Sequence, residues 1–315
     1  MFFVSELELD KELRKLRTLH GDSAISDDLR GWNWANDFLS PPLENVYFSV
    51  SELANRYCPT YRDIYLRRIA RVSAPITFKT IRGRVYHRIS TEAVKEAKST
   101  LYSKGLISGV DLLNAMLDAE EKVINSIFDR YGISKHLTSK QARGLFKEAK
   151  LLYRFMALQA SARLDEVISK SIRLNIESIV DKFIPVDVEK PVDGRLIGLS
   201  QELRIDMLTN RRIIMEIKTG DVRSFHKYSL AGYALALEAD AEIPIDYGVV
   251  SYISVRGKHV KTRSKTYFLG DELRREFLEI RDEAFNLIHN GKDPGKPPRC
   301  PESCIYYDVC GGGRA

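Results

Sequence analysis

The stretch Leu203-Arg-Ile-Asp-Met-Leu-Thr-Asn-Arg-Arg-Ile-Ile-Met-Glu-Ile-Lys-Thr-Gly220 decides the reading of this chain. Apolar and polar residues alternate on either side of Thr209-Asn-Arg-Arg212, the pattern of two strands joined by a turn. Asp206 lies on the first strand, and Glu216-Ile-Lys218 ends the second among β-branched neighbours. Charges placed where a strand buries Val or Ile are costly unless they bind a metal or each other. Side chains alternate faces, so Glu216 and Lys218 share one face while Ile213, Met215 and Ile217 share the other. With Asn210-Arg-Arg212 as a three-residue turn, Asp206 falls opposite Glu216 at a Cβ separation of roughly 5 Å. Two carboxylates so placed suit one hard cation, Mg2+ or Mn2+, and Lys218 can stabilise charge developing on a phosphate. The stretch reads as a hydrolytic metal site. The competing reading is a surface hairpin with a salt bridge, worth under about 1 kcal/mol.

At 315 residues, 44% hydrophobic and 29% charged, the chain has the composition of a globular protein with ample core. No apolar run approaches bilayer length. Met-Phe-Phe-Val-Ser-Glu-Leu-Glu-Leu-Asp10 lacks the basic-then-apolar order of a secretory signal, so a cytoplasmic setting is expected. The net charge of +6 is concentrated. Nine Lys or Arg lie between Arg56 and Arg88 against one acid, Asp63, interleaved with Tyr57, Tyr61, Tyr65 and Tyr86. Cations among stacking rings suit a nucleic-acid backbone and its unpaired bases, or else form a solvated basic face on two helices.

Four segments follow from texture. Residues 1–47 read as an N-terminal extension with little chemistry: a helix from Glu6 to His20, a polar loop through Gly21–Ala24, and Ser40-Pro-Pro42. Residues 48–178 read as helical. Ser49-Val-Ser-Glu52 is a capping box for a helix ending at Cys58-Pro59, and helices over 60–71, 77–104, 112–128 and 139–175 follow. From Ile179 to residue 290 the texture turns β-branched, with strands over 247–255 and 265–268 and helices over 225–239 and 272–290. Residues 291–315 carry a Pro/Gly loop and three cysteines. Helices first, then strands with a packed helix, predict an α/β or α+β core wrapped by a helical part.

Two single residues and a cysteine set add to the hairpin. His87 sits on a predicted helix among arginines, able to supply a nitrogen ligand or simply to be structural. Tyr233 lies on the helix after the hairpin. Cys58 stands alone, whereas Cys300, Cys304 and Cys310 form a C-x3-C-x5-C cluster. Soft thiolates in that spacing, with no C-x2-C pair, favour a [4Fe-4S] cluster over zinc. Two disulfides are the alternative, disfavoured in a reducing cytoplasm.

His87, Asp206, Glu216-Ile-Lys218 and Tyr233, bracketed by one early cysteine and three late ones, resemble the RecB-type nucleases with an iron–sulfur staple. Tyr57-Cys-Pro-Thr-Tyr-Arg-Asp-Ile-Tyr-Leu66 and Cys300-Pro-Glu-Ser-Cys-Ile-Tyr-Tyr-Asp-Val-Cys310 are most similar to the fourth CRISPR-associated protein family. Chain length and Gly198-Leu-Ser-Gln-Glu-Leu-Arg-Ile-Asp206 point to its archaeal subtype A branch. The resemblance covers roughly residues 48–90 and 180–310. It implies an α/β, PD-(D/E)xK (RecB-like) core over 179–290, a mixed sheet flanked by helices. A helical part and a C-terminal iron–sulfur staple complete it. The implied activity is a metal-dependent exonuclease on single-stranded DNA or overhanging ends, trimming DNA for CRISPR spacer acquisition beside the integrase complex. His87, Asp206, Glu216 and the Ile217 carbonyl would bind Mg2+ or Mn2+, Lys218 would be catalytic, and Tyr233 would support the site or the DNA. Cys58, Cys300, Cys304 and Cys310 would hold [4Fe-4S]. The family's Gln is replaced here by the shorter Ser229, so that a substrate or water contact is either lost or taken over by His226, and Asp187 and Asp193 rival Asp206 as first carboxylate. The alternatives are a catalytically weak DNA-end-binding subunit of the integration complex and a RecB-like repair nuclease.

Overall fold

The β-branched half of the chain folds, in a computed structural model describing residues 6–20, 25–170, 175–302 and 304–311, into one five-stranded mixed sheet. Its strands are β1 (Val186–Val192), β2 (Leu203–Thr209), β3 (Ile213–Thr219), β4 (Tyr247–Arg256) and β5 (His259–Phe268), in the order β1-β2-β3-β4-β5. All neighbours are antiparallel except β3 and β4, which run parallel. Parallel neighbours need a crossover, supplied here by the helix α9 (Lys227–Ala241, numbered in chain order). β5 occupies an edge and turns His259, Lys261, Arg263 and Lys265 outward at every second position. Its strand begins six residues earlier than the hydrophobic pattern predicts, because those alternate positions are charged rather than apolar.

The other helices are α1 (Glu6–His20), α2 (Val50–Ala54), α3 (Arg62–Arg68), α4 (Phe78–Lys104), α5 (Gly109–Arg130), α6 (Ile133–His136), α7 (Ser139–Ser169), α8 (Ile176–Phe183) and α10 (Asp271–Asn290). The predicted capping box forms, with Ser49 accepting from the Glu52 N–H, but α2 stops at Ala54 rather than at Cys58-Pro59. α3 starts only after Tyr61, which takes a left-handed φ of 57°. Ile179–Phe183, expected as strand, is helix instead. Asn175 caps α8 by accepting from the Ser178 N–H at 2.9 Å, and Ile179, Val180 and Phe183 bury one helical face. The predicted Gly21–Ala24 loop and residues 171–174 of the predicted long helix lie outside the described residues.

Two cores cover the two faces of the sheet. One joins α4, α5, α7 and α8 to Met207, Met215, Ile217 and Val249, with Leu9 and Leu13 of α1 included. The other joins α2, α9 and α10 to Leu208, Ile214 and Val250. The N-terminal extension is therefore structural: Leu29 and Leu39 are also fully buried in the second core. Among the described residues, no helix is long and apolar enough to cross a membrane.

A fully buried ion pair fixes α9 in place. The Glu238 carboxylate accepts from Arg274 at 2.6 and 2.9 Å, from the Gly31 and Ile245 N–H groups at 2.9 and 3.0 Å, and from Arg30 at 2.7 Å. Arg274 donates its remaining N–H groups to the Leu29, Leu269 and Ile245 carbonyls. Gly31 is required there by close approach, since an added Cβ would stand 2.1 Å from the Leu235 carbonyl oxygen. Burial pushes the Glu238 carboxyl up, but Arg274 and the two N–H donors outweigh it and hold the carboxyl below its usual range. A depressed carboxylate contributes stability above its unfolded pKa of about 4.5, lost as pH falls through the folded value. Arg274→Met is therefore expected to cost about 3–5 kcal/mol in urea unfolding at pH 7, by stranding a buried carboxylate. The deficit should shrink as pH falls below about 4.5 and Glu238 protonates.

Candidate active site

The hairpin register is that of a three-residue turn. Met207 pairs with Met215 and Leu208 with Ile214, and continuing the ladder sets Asp206 opposite Glu216. Pairing stops at Met207, however, and β2 turns over about Asp206: Leu203 and Ile205 enter the second core while Met207 enters the first. In the gap, Asp206 Oδ2 accepts the Ile217 N–H at 2.8 Å, so a side chain takes the place of a ladder carbonyl. Its other oxygen faces His87 Nδ1 at 3.3 Å. His87 arrives on α4 because Gly83, one turn earlier, lets the helix approach the end of β3. A Cβ at Gly83 would stand 3.1 Å from Thr219 Oγ1.

Lys218 Nζ sits 2.5 Å from Glu216 Oε2. The His87, Asp206, Glu216 and Lys218 side chains are 36, 21, 6 and 18% exposed, so the site opens to solvent on the His87 side. Burial drives Glu216 upward, with Lys218 opposing and the Asp206 charge adding to it. Burial would lower Lys218, but Glu216 holds it above the usual lysine range. Burial would raise Asp206, but His87, the Ile217 N–H and Lys218 bring it below the ordinary aspartate value. Burial and then the charges of Glu216 and Asp206 push Tyr233 well up, so its hydroxyl stays protonated beside the two carboxylates.

The rival carboxylates stand elsewhere. Asp193 is held by Arg195 at 2.7 Å, and Asp187 is an exposed residue of β1 opposite Leu208. Ser229 is buried and donates to the His226 carbonyl at 2.8 Å, so it contributes no reach toward the hairpin. His226 is buried as well, hydrogen-bonded to Tyr252 at 3.1 Å, and pushed down to about 4 by burial and by the charges of Lys218, Arg223 and Lys79.

Several neighbours carry no linear signal. Tyr57, Phe225, His226 and Tyr252 form a chain of ring contacts at 4.9, 5.0 and 5.6 Å. It lies along Lys218, which pairs with Tyr252 across the β3–β4 ladder and shares a field with the Tyr57 hydroxyl. Of the nine cations from Arg56 to Arg88, Arg62 is tied to Asp293, Arg67 and Arg68 to Glu52, and Arg88 to Glu189 and Glu92. Arg56 stacks on Tyr61 with its guanidinium 4.1 Å from the ring centroid. Arg71, Lys79, Arg82 and Arg84 have no carboxylate partner among the described residues, and Lys79 lies beside Gly220 at the end of β3.

The cysteine segment is fastened to α3 by ordinary contacts. Cys310 and Tyr306 pack with Leu66, and Cys300 and Cys304 lie against the same cluster. Tyr306 donates to the Val72 carbonyl at 3.0 Å, Thr60 to the Gly295 carbonyl at 2.9 Å, and Arg62 to Cys310 Sγ at 3.2 Å. All four cysteines are free thiols. Burial pushes the Cys304 thiol up to about 11, with Asp63, Cys58 and Cys310 adding to it. Among the described residues no three His, Cys, Asp or Glu side chains stand close enough together to hold a metal ion, at the hairpin or at the cysteines.

Fold and site together define a mixed α/β protein with a buried and a half-buried carboxylate and a lysine on one hairpin of its sheet. The chain belongs to the CRISPR-associated exonuclease Csa1 family, whose model matches residues 1–314. It is 36% identical to the CRISPR-associated exonuclease Csa1 of Saccharolobus solfataricus over 316 residues, 98% of this chain and 99% of that one. It is 29% identical to the protein of the same name from Thermoproteus tenax over 304 residues, 96% and 98% of the two chains. No solved structure matches.

The Glu216–Lys218 pair makes a prediction that needs no catalysis. A carboxyl raised by burial favours its protonated form, so its contribution is present below the unfolded pKa and lost as pH rises through the folded one. Lys218→Met removes the compensating charge. Unfolding measured in chelator should show a loss of about 3 kcal/mol at pH 8 and a clearly smaller one at pH 5.

Proposed function

We propose that this chain is a Mg2+- or Mn2+-dependent DNA exonuclease with a PD-(D/E)xK, RecB-like core, acting on single strands or overhanging ends. The observation that carries the reading is the hairpin's buried Glu216 with the half-buried Asp206 and Lys218 beside it, open toward His87. Glu216 Oε2 is buried and has no hydrogen bond of proper geometry, despite the nearby ammonium. Such an orphaned oxygen, beside a second carboxylate and an imidazole, fits a hard divalent cation by donor chemistry. His87, Asp206, Glu216 and the Ile217 carbonyl are the residues that would hold it. In the present packing their charges answer one another instead, Lys218 on Glu216 and His87 on Asp206.

The cation, when bound, neutralises phosphate charge and makes water a nucleophile near neutral pH. The chain's own residues do the rest. Lys218, held protonated, stabilises charge on the scissile phosphate. Tyr233, also protonated, donates at the carboxylate side. Tyr57 and Phe225 offer half-buried ring faces for unpaired bases, and Lys79 and Arg82 offer cations for the backbone. Cys58, Cys300, Cys304 and Cys310 are proposed to bind [4Fe-4S], supported by their common neighbourhood at α3 and the Arg62 donor on Cys310. Its role is structural, joining the C-terminal segment to the basic helix pair. Cysteines that form no disulfide fit a reducing, cytoplasmic setting.

The relatives' name places them with CRISPR systems, which supports trimming of DNA for spacer acquisition beside the integrase complex as the pathway. A second reading, a DNA-end-binding subunit that does not cut, is favoured by the absence of three converging metal donors among the described residues. One assay separates the two. Anaerobically purified protein with Mn2+ should shorten single-stranded DNA, and Glu216→Ala or Lys218→Ala should lower the rate at least about a hundredfold. Both variants should keep the brown absorbance and DNA binding. Wild-type protein that binds overhangs and never cuts them supports the second reading, and full cleavage by Glu216→Ala defeats the site assignment.

A further inference from the structure

A cavity of about 350 Å3 lies at the opposite end of the β3–β4 pair from Glu216 and Lys218. Ile213 and Tyr247, the first residues of the two strands and partners in their register, line it together with Leu13 of α1. Arg14 and Arg17, one turn apart on α1, and Arg211 at the hairpin tip line it as well. Asp10 is its one acid and is ion-paired to Arg211. Arg17 stands over the Tyr247 ring, 6.0 Å from the centroid, and Arg14 has no carboxylate partner among the described residues. Three guanidiniums against one carboxylate leave the cavity two charges positive. Asp10 and the Tyr247 ring account for Arg211 and Arg17, whereas Arg14 adds a guanidinium, repelled by the other two, that no described carboxylate answers. The apolar and the cationic residues of the lining match the two halves of a nucleotide, base and sugar for the first and phosphate for the second. The volume falls within the range of small-molecule sites.

We propose that this cavity binds a phosphorylated nucleotide unit, either a free mononucleotide or one residue of a DNA strand. From Ile213 to Lys218 the strand advances about 17 Å, so the cavity is separate from the hairpin site and independent of the function assigned there. Calorimetric titration of the full chain in chelator tests it, using a 5′-deoxynucleoside monophosphate, the same nucleoside without phosphate, and an eight-residue DNA strand. The expected result is saturable binding of the monophosphate but not of the nucleoside, weakened at least about tenfold in Arg14→Ala/Arg17→Ala. Both arginines are exposed, so the variant should keep the wild-type unfolding midpoint. Strand binding whose salt slope drops by about 1.4 in the variant, without monophosphate binding, identifies the strand as the source. Monophosphate and strand bound equally by variant and wild type, or neither bound by the wild type, overturns the proposal.

Discussion

The carboxylate of Glu238 is the interaction on which the rest of the architecture leans. It is fully buried, and its Arg274 partner is too, so neither charge is tolerable without the other. Satisfying them recruits backbone from three separated places: Gly31 near the N-terminus, Ile245 at the entry to β4, and Leu269 at the exit of β5. The same few atoms thus clamp α9 against α10 and close the loops at one end of the sheet. Arg281 lies two turns further along the same face of α10 and donates to the Leu39 and Ile197 carbonyls. Since α9 also carries Tyr233 and starts directly after His226, the position of the candidate site over β3 is set by a contact remote from it.

The site itself is built where regular structure gives way. β2 and β3 pair for two residues only, and the Asp206 carboxylate supplies the acceptor that the Ile217 N–H would otherwise lack. This keeps a backbone donor satisfied while parting the strands, and the space so opened receives His87 and the Lys218 ammonium. Two carboxylates with opposite displacements, Asp206 held low and Glu216 pushed high, share that space. The divergence follows from burial acting on both acids while His87, Lys218 and the Ile217 N–H favour the charge on Asp206.

Much of this was legible in the order of residues. The alternation around Thr209–Arg212 gives the hairpin and its register, Ser49 and Glu52 give a capped helix, and the 6–20 and 77–104 periodicities give α1 and α4. Ile179 and Val180 misled because β-branched residues dominate a segment whose helix is decided by the Asn175 cap and a buried face. Arg274 and Arg281 lie on a helix the sequence does predict, but their burial depends on loop carbonyls distant in sequence and carries no local signal. The ring chain from Tyr57 to Tyr252 joins segments nearly 200 residues apart, and no local pattern encodes it. The α1 arginines looked inert for the same reason: their partner residues, Arg211 and Tyr247, are supplied by the sheet.

The outward row of His259, Lys261, Arg263 and Lys265 bears on how molecules of this chain treat one another. A ten-residue edge strand is long enough to template pairing with any passing strand, a standing hazard for sheet proteins. On this edge a second copy would have to bring its own cations alongside the first set, and the two rows would repel at every alternate residue. β5 thereby acts as a self-avoiding border at which the sheet ends at five strands.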